Sequence, residues 1–220
     1  MNPLGLLSRW LAPSRGAPGD TARWAVVDVE TTGLDVDHDH LLAIAAIAVH
    51  FDADGRPRVA LADSFEAVLH HESPSTDKDN ILLHGIGVGA QRAGVPPVQA
   101  LDAFERWLDG APLLGYHASF DEAMIERASR AARGRGLAAH WLDLAPVASA
   151  LHPGVPGHAL DDWLDHFGIE CAVRHQAAAD TLATAELLQR LWPAARAQRC
   201  ASFGKLQTLA RQQRWLGSGG

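Results

Sequence analysis

An apolar run that ends in two acids sets the first limit on what this chain can fold into. Residues 24–29 read Trp-Ala-Val-Val-Asp-Val, and Glu30 follows at once. A short apolar, β-branched run of this kind suits a buried strand. Side chains two residues apart on a strand share a face, so Asp28 and Glu30 project together. If both were buried without a cation, desolvation and mutual repulsion would be costly. Either the strand emerges into water at that end, or something positive meets the pair.

The rest of the chain supplies partners for this strand. Leu41 to Phe51 is a second apolar run. Its alanines leave helix and strand in competition, but its length and the turn Asp52-Ala53-Asp54-Gly55 favour a hairpin into a third strand over Arg58 to His70. His71 to Asp79, with Ser, Pro and Asp, reads as loop. Pro96-Pro97 precedes Leu101, Phe104 and Leu108, spaced for one helix face. Pro112 to Tyr116 is a short strand, and Ser119 opens a helix because Ser119 and Glu122 have capping-box spacing. That helix ends in Gly134 to Gly136. His140 to Leu151 reads as a short strand and a helix, and Leu160, Leu164 and Phe167 as a helix stopped by Gly168. Ala177 to Leu191 is a long helix without glycine or proline, and Phe203 to Trp215 a final one. Three β-rich segments followed by alternating strands and helices imply an α/β fold, a mixed sheet flanked by helices. The expected layout is a flexible leader (1–21), one domain (22–192), and a C-terminal helical extension with a flexible tail (193–220).

Composition narrows the class. A chain of 220 residues is long enough for one α/β domain with short extensions. It has no apolar run of the roughly 20 residues that would cross a bilayer. Two cysteines, Cys171 and Cys200, make neither a disulfide framework nor a zinc site, and their scarcity fits a reducing cytoplasm. His38, His40, His70 and His71 lack the cysteine partners or helical spacing of a zinc site. The net charge of −7 argues against a protein that coats nucleic acid electrostatically, though not against one that grips a strand end. Arg127, Arg130, Arg133 and Arg135 form one basic group. Arg190, Arg196, Arg199, Lys205, Arg211 and Arg214 load the C-terminal end. Each group reads either as a solvated helix face or as a rim that contacts phosphates.

Two further blocks add acids. Asp121, in Gly-Tyr-His-Ala-Ser-Phe-Asp-Glu, falls where a strand end leads into a helix start. An acid there can simply complement the helix dipole. Asp180 begins the long helix, with His175 five residues ahead on a loop, where a histidine is often only a surface residue.

Taken in order, the three blocks resemble the DEDDh exonucleases, the DnaQ-like group that includes the proofreading epsilon subunit of DNA polymerase III. The matching residues are Asp28-Val29-Glu30-Thr31-Thr32-Gly33, then Phe120-Asp121, then His175 and Asp180 at H-x4-D spacing. Leu83-His84-Gly85-Ile86 is similar to that family's Ile-His-Gly-Ile segment. The resemblance spans about residues 22 to 192 and implies a ribonuclease H-like fold. It implies two divalent ions, Mg²⁺ or Mn²⁺, held by Asp28, Glu30, Asp121 and Asp180. Hard cations of that kind suit carboxylate oxygens. It makes His175 the general base, an imidazole whose ordinary pKa of about 6.5 lies near working pH. It puts Thr31, Thr32, Gly33, Leu34, His84 and Phe120 on the substrate side. Two departures stand near the expected strand end. Ala118 replaces the asparagine common after the second-block histidine, and Gly87-Val88-Gly89 replaces the segment with the common threonine.

The function implied is a 3′→5′ exonuclease that releases nucleoside monophosphates from single-stranded or frayed DNA ends, in proofreading or DNA repair. An RNA-trimming enzyme and an inactive nuclease-fold binding module are the alternatives. A polymerase or repair partner would dock on the segment beyond Leu191, with Trp192, Phe203, Leu206, Leu209 and Trp215, unless that segment packs back on its own domain.

Overall fold

The structure, a computed structural model, describes residues 22–156 and 159–217. The expected leader and the last three residues of the expected tail lie outside these. Strand β1 (Arg23–Thr31) is the middle of a five-stranded sheet of order β3-β2-β1-β4-β5. β2 (Leu41–Phe51) and β3 (Pro57–Val68) are antiparallel to their neighbours, while β4 (Leu113–Gly115) and β5 (Trp141–Asp143) run parallel to β1. Beside the strands come α1 (Lys78–His84), α2 (Val88–Ala93), α3 (Pro97–Leu108), α4 (Ser119–Arg133), α5 (Leu144–Leu151), α6 (Leu160–Phe167), α7 (Ala177–Ala197) and α8 (Phe203–Gly217). The mixed α/β sheet flanked by helices is the expected one. Among the described residues no helix is long and apolar enough to cross a membrane.

The alternation of β1 divides the core in two. Trp24 and Val26 join α5, α6, α7 and α8 on one face; Ala25, Val27 and Val29 join α3 and α4 on the other. By the same alternation Asp28 and Glu30 belong to the face that α7 covers. Their cross-strand partners are Ala45 and Ala43. Directly opposite residues share a face, so the alanines of β2 keep that face low where α7 arrives. Thr181 on α7 reaches the Ala45 carbonyl at 3.4 Å.

Several local expectations change. The loop from His71 ends at Asp77, whose carboxylate receives the N–H groups of Asp79 and Asn80 and starts α1. Neither α1 nor α2 is anticipated, both being too short for a periodic pattern to register. The Ser119–Glu122 capping box does not form. Ala118 is already helical (φ −51, ψ −15), with no side-chain cap, so the helix is entered one residue before the expected cap. α7 continues past Leu191 through Pro193 to Ala197. Proline removes only one internal hydrogen bond there, and the end of α7 is held from outside: Trp192 donates its indole N–H to Gly55 O at 2.8 Å, and Gln189 its amide to Pro57 O at 3.0 Å.

The expected boundary at 192/193 therefore falls inside a helix. Trp24 meets Phe51, Trp192 and Phe203 with ring centroids 4.5, 5.7 and 5.2 Å apart. Such aromatic pairs each add about 0.5–1.5 kcal/mol beyond their buried area. Phe203, Leu206 and Ala210 of α8 are buried in the same core. Trp215 and Leu216, near the end of α8, are 84% and 73% exposed.

Candidate active site

Three elements bring the acids together at the C-terminal end of β1. Asp28 and Glu30 come from the strand, Asp121 from the first turn of α4, and Asp180 from the first turn of α7. Gly115, where β4 ends, leaves room for the third acid. A Cβ there would lie 3.1 Å from Val27 O and 3.2 Å from Asp121 Oδ2. Asp121 is buried and receives the backbone N–H groups of Val29 and of itself. Glu30 receives the N–H of Ala177, while its Oε1 is buried with no hydrogen-bond partner.

The electrostatics describe a cluster of acids short of positive charge. Burial, then the charges of Asp121, Glu30 and Asp180, push the Asp28 carboxyl well above the ordinary carboxylate range. Burial and the Asp180 charge push Glu30 up to about 7. Burial pushes Asp121 up to about 7, against the N–H groups that favour its charged form. The reading of Asp28 and Glu30 as freely hydrated acids does not survive this.

Asp180 is handled differently. Its Oδ1 takes the Arg174 Nη1 and faces Cys171 Sγ at 3.5 Å, and its Oδ2 accepts the His175 N–H at 3.0 Å. Arg174 also donates from Nε to Asp161 Oδ1 at 2.5 Å. No three His, Cys, Asp or Glu side chains among the described residues stand arranged to hold an ion. The donor set still fits a hard divalent cation: carboxylate oxygens from three elements, one of them buried without a partner, with carboxyls that resist ionising unless positive charge is added.

His175 sits on the loop before α7 with φ at 61°, left-handed, and its ring is exposed. Its backbone, rather than its ring, makes the contact with Asp180. The first-block loop is latched from within. Thr31 Oγ1 donates to Gly33 O at 2.6 Å, and Thr32 Oγ1 donates to Asp39 Oδ1 at 2.8 Å while accepting the His40 N–H. Asp39 Oδ2 accepts the Asp35 N–H at 2.8 Å. A Cβ on Gly33 would lie 2.4 Å from Asp39 Oδ2, so glycine is what lets the loop close over that carboxylate. Both threonine hydroxyls thus spend their hydrogens inside the loop. Leu34 stands out at 86% exposure, and Phe120 is half-buried against the α3–α4 core.

His84, expected on the substrate side, is a buried strut. Its Nδ1 accepts the Ile86 N–H at 2.9 Å, which leaves Nε2 to donate to Asn80 Oδ1. Burial lowers its pKa, in keeping with a neutral ring. What it shapes is the turn at Gly85, whose missing Cβ would come within 4.0 Å of Gln176, next to His175. Gln91, fully buried and bonded to Ser75 and Ile86, braces the same turn.

The first basic group is tied up by local partners. Arg130 pairs with Glu126, Arg133 with Asp102 and Glu105, and Arg135 with Glu105, while Arg127 bonds to Asp37 O. Arg135 and Arg133 hold the Glu105 carboxyl down to about 2. The reading of this group as a phosphate-contacting rim gives way to helix-face ion pairing. Of the paired histidines, His38 bonds Asp35, His70 bonds Arg92 O and His71 bonds Leu41 O, while the His40 ring lies against that of His71.

Sequence reasoning misses Arg174, Asp39 and Gln91. Arg174 is next to His175 and could have been suspected for that reason; the other two carry no local signal.

Comparison with known proteins agrees with this geometry. Residues 25–188 match the exonuclease family called RNase_T. A DNA polymerase III subunit epsilon-like protein of Rhodobacter capsulatus is 31% identical over 199 residues, which are 89% of this chain and 27% of that protein. The PolC-type DNA polymerase III of Bacillus subtilis is 28% identical over 169 residues, 76% of this chain and 11% of the polymerase. The chain thus spans about a quarter or less of the curated relatives it matches. Among solved structures, E. coli Exonuclease I in complex with a dT13 oligonucleotide superposes with a TM-score of 0.67 at 18% identity, covering 81% of this chain and 42% of that one. That likeness shows the fold, which is ribonuclease H-like. The chain belongs to the DnaQ-like exonuclease family.

Proposed function

We propose that this protein is a divalent-metal-dependent 3′→5′ exonuclease that hydrolyses the terminal phosphodiester of a DNA strand and releases nucleoside monophosphates. The observation that carries the reading is the convergence of Asp28, Glu30, Asp121 and Asp180 from three elements, with Glu30 Oε1 buried and unpartnered. Those four side chains would hold Mg²⁺ or Mn²⁺. Two such ions, when bound, would stabilise charge on the phosphorane and on the leaving 3′-oxygen and lower the pKa of water.

The chain's own residues do the rest. His175, on a loop anchored by its N–H to Asp180, takes the proton from the attacking water; its exposed ring can reach solvent and substrate alike. The Thr31–Leu34 loop, closed on Asp39, presents backbone to the terminal nucleotide, and Leu34 and Phe120 pack against its base. A cation held by Asp180 would compete with Arg174 for the same carboxylate oxygen.

Single-stranded DNA is the substrate we favour. The solved relative named above was captured with dT13, and the curated relatives carry DNA polymerase III names. A polymerase partner and a cytoplasmic setting belong to the same reading. Docking through the C-terminal segment would fall to the exposed Trp215 and Leu216, because Phe203, Leu206 and Ala210 are already buried. The test is 5′-labelled single-stranded DNA and RNA with Mg²⁺, Mn²⁺ or EDTA. Stepwise shortening of DNA from the 3′ end, abolished by EDTA, supports the reading. Faster shortening of RNA would move the function to RNA trimming, and binding without cleavage would move it to an inactive module.

A further inference from the structure

At the end of α7 remote from Asp180, the β2–β3 turn and the last helical turns enclose an open hollow of about 610 Å³. Three arginines line it, Arg56, Arg58 and Arg196, with Pro57, Trp192 and Pro193 as its apolar floor; no acidic side chain lines it. Arg58 shares its Nε with Asp52 at 3.0 Å, and Arg196 donates to the Asp54 carbonyl at 3.0 Å, which leaves its charge uncompensated. The Arg56 guanidinium has no partner among the described residues. Of the three, only Arg58 is ion-paired among the described residues, to Asp52, whereas arginines such as Arg23, Arg133, Arg135 and Arg174 are held by acids: Asp63, Glu105, and Asp161 with Asp180. In a chain of net charge −7, three arginines thus share one hollow, two of them without an acid partner among the described residues.

Two independent measures place it relative to the acids. Arg196 follows Asp180 by sixteen residues of one helix, about 24 Å at 1.5 Å per residue. Arg23, at the same end of the sheet, precedes Glu30 by seven residues of one strand, about 23 Å at 3.3 Å per residue. A stacked single strand advances about 3.4 Å per nucleotide, so about seven nucleotides bridge the distance.

We infer that this hollow is a second nucleic-acid site, which grips backbone phosphates of the single strand about seven nucleotides from the end held at the acids. Guanidinium forks match phosphate oxygens in geometry as well as charge. Trp192 is buried and spends its indole N–H on Gly55, so it offers no free stacking face, and the grip is on phosphate rather than on base. The site is therefore sequence-independent and gives the enzyme a preference for longer strands. This rests on the exonuclease reading.

The test uses the full chain with Mg²⁺ and dT4, dT8, dT16 and dT24. For the wild type, kcat/KM is expected to rise about tenfold from dT4 to dT16 and to level off thereafter. In the double variant Arg56→Ala/Arg196→Ala the dT16-to-dT4 ratio should fall to about twofold or less. The salt slope of dT16 binding should drop by about 1.4, from two lost contacts at about 0.7 each. The double lysine variant should restore part of the ratio, and matched melting curves should show that both variants fold. A wild type without length dependence, or a double alanine variant that keeps it, overturns the inference. So does a variant that binds dT16 normally but loses a labelled oligoglutamate, which would give the hollow to an acidic protein segment. Absence of cleavage on every oligonucleotide would instead sink the exonuclease reading, and the dT16 binding comparison would still decide the hollow.

Discussion

Arg174 bridges two acids, giving its Nη1 to buried Asp180 and its Nε to Asp161 at 2.5 Å. It lends the candidate active site one positive charge in the absence of any ion. Asp180 is also the acid with the firmest hydrogen bonding, since the His175 N–H closes on its other oxygen.

Removing that counter-charge exposes the repulsion it offsets. Arg174→Ala is expected to destabilise EDTA-treated protein by about 1–3 kcal/mol, below the 3–5 of a fully buried pair because Arg174 is partly exposed. Saturating Mg²⁺ should shrink the loss, because the ion replaces the guanidinium. Thermal melts of both proteins with and without Mg²⁺ check this; an equal loss in both conditions would make Arg174 a purely structural tie.

The acids impose a pH dependence of definite sign. Glu30 and Asp121 rise from ordinary carboxylate values of 4.5 and 3.8 to about 7 on folding. A raised folded pKa contributes stability that is fully present below the unfolded pKa and is lost as pH rises through the folded one. The melting temperature of metal-free protein should therefore fall between pH 5 and pH 8. Mg²⁺ should raise it more at pH 8 than at pH 6, and its binding near pH 7 should release protons, measurable by calorimetry in buffers of different ionisation enthalpy. A Mg²⁺ effect independent of pH would contradict the assignment.

The first-block loop supports a substitution that separates activity from folding. Gly33→Ala would drive a Cβ to 2.4 Å from Asp39 Oδ2 and break the Thr32–Asp39 latch. The loop is near the surface, so the melting temperature should move by only a few degrees, while kcat/KM on single-stranded DNA falls about tenfold or more. Leu34→Ala, at an 86% exposed position, should raise KM several-fold with kcat little changed. A loss carried by kcat alone would mean that Leu34 does not hold the terminal base.

His175 occupies a left-handed conformation, φ 61°, which asparagine tolerates well. His175→Asn is thus a cleaner variant than alanine. Turnover is expected to fall about 10²–10⁴-fold, the usual worth of a general base, with Mn²⁺ affinity retained. Loss of Mn²⁺ binding in this variant would show the histidine to act through Asp180 rather than on water.

Much of this is legible along the chain because it is local. The period of β1 puts Asp28 and Glu30 on one face, and the turn after Phe51 sets the hairpin. Glycines at 134 and 168 end their helices as expected, and do so in left-handed conformations. What escapes is carried by contacts between distant segments or by competition between local motifs. Asp39 matters only because the loop folds back on Thr32, and the worth of Gln91 lies in reaching Ser75. Ser119 and Glu122 have the spacing of a cap, yet the left-handed turn at His117 brings Ala118 into the helix first. His84 matches a motif whose ring could face either way, and both its nitrogens are satisfied within α1 and the turn that follows.

Counting bound Mn²⁺ decides whether the four carboxylates hold the ions on which hydrolysis depends. Electron paramagnetic resonance titration of the wild type should give two Mn²⁺ per chain, with Mn²⁺-dependent shortening of dT16 from its 3′ end. Asp28→Asn keeps the side-chain volume but removes the charge that Asp121, Glu30 and Asp180 surround. It should bind at most one ion and lose shortening by at least a thousandfold. Two ions bound and dT16 still shortened in Asp28→Asn would contradict the account.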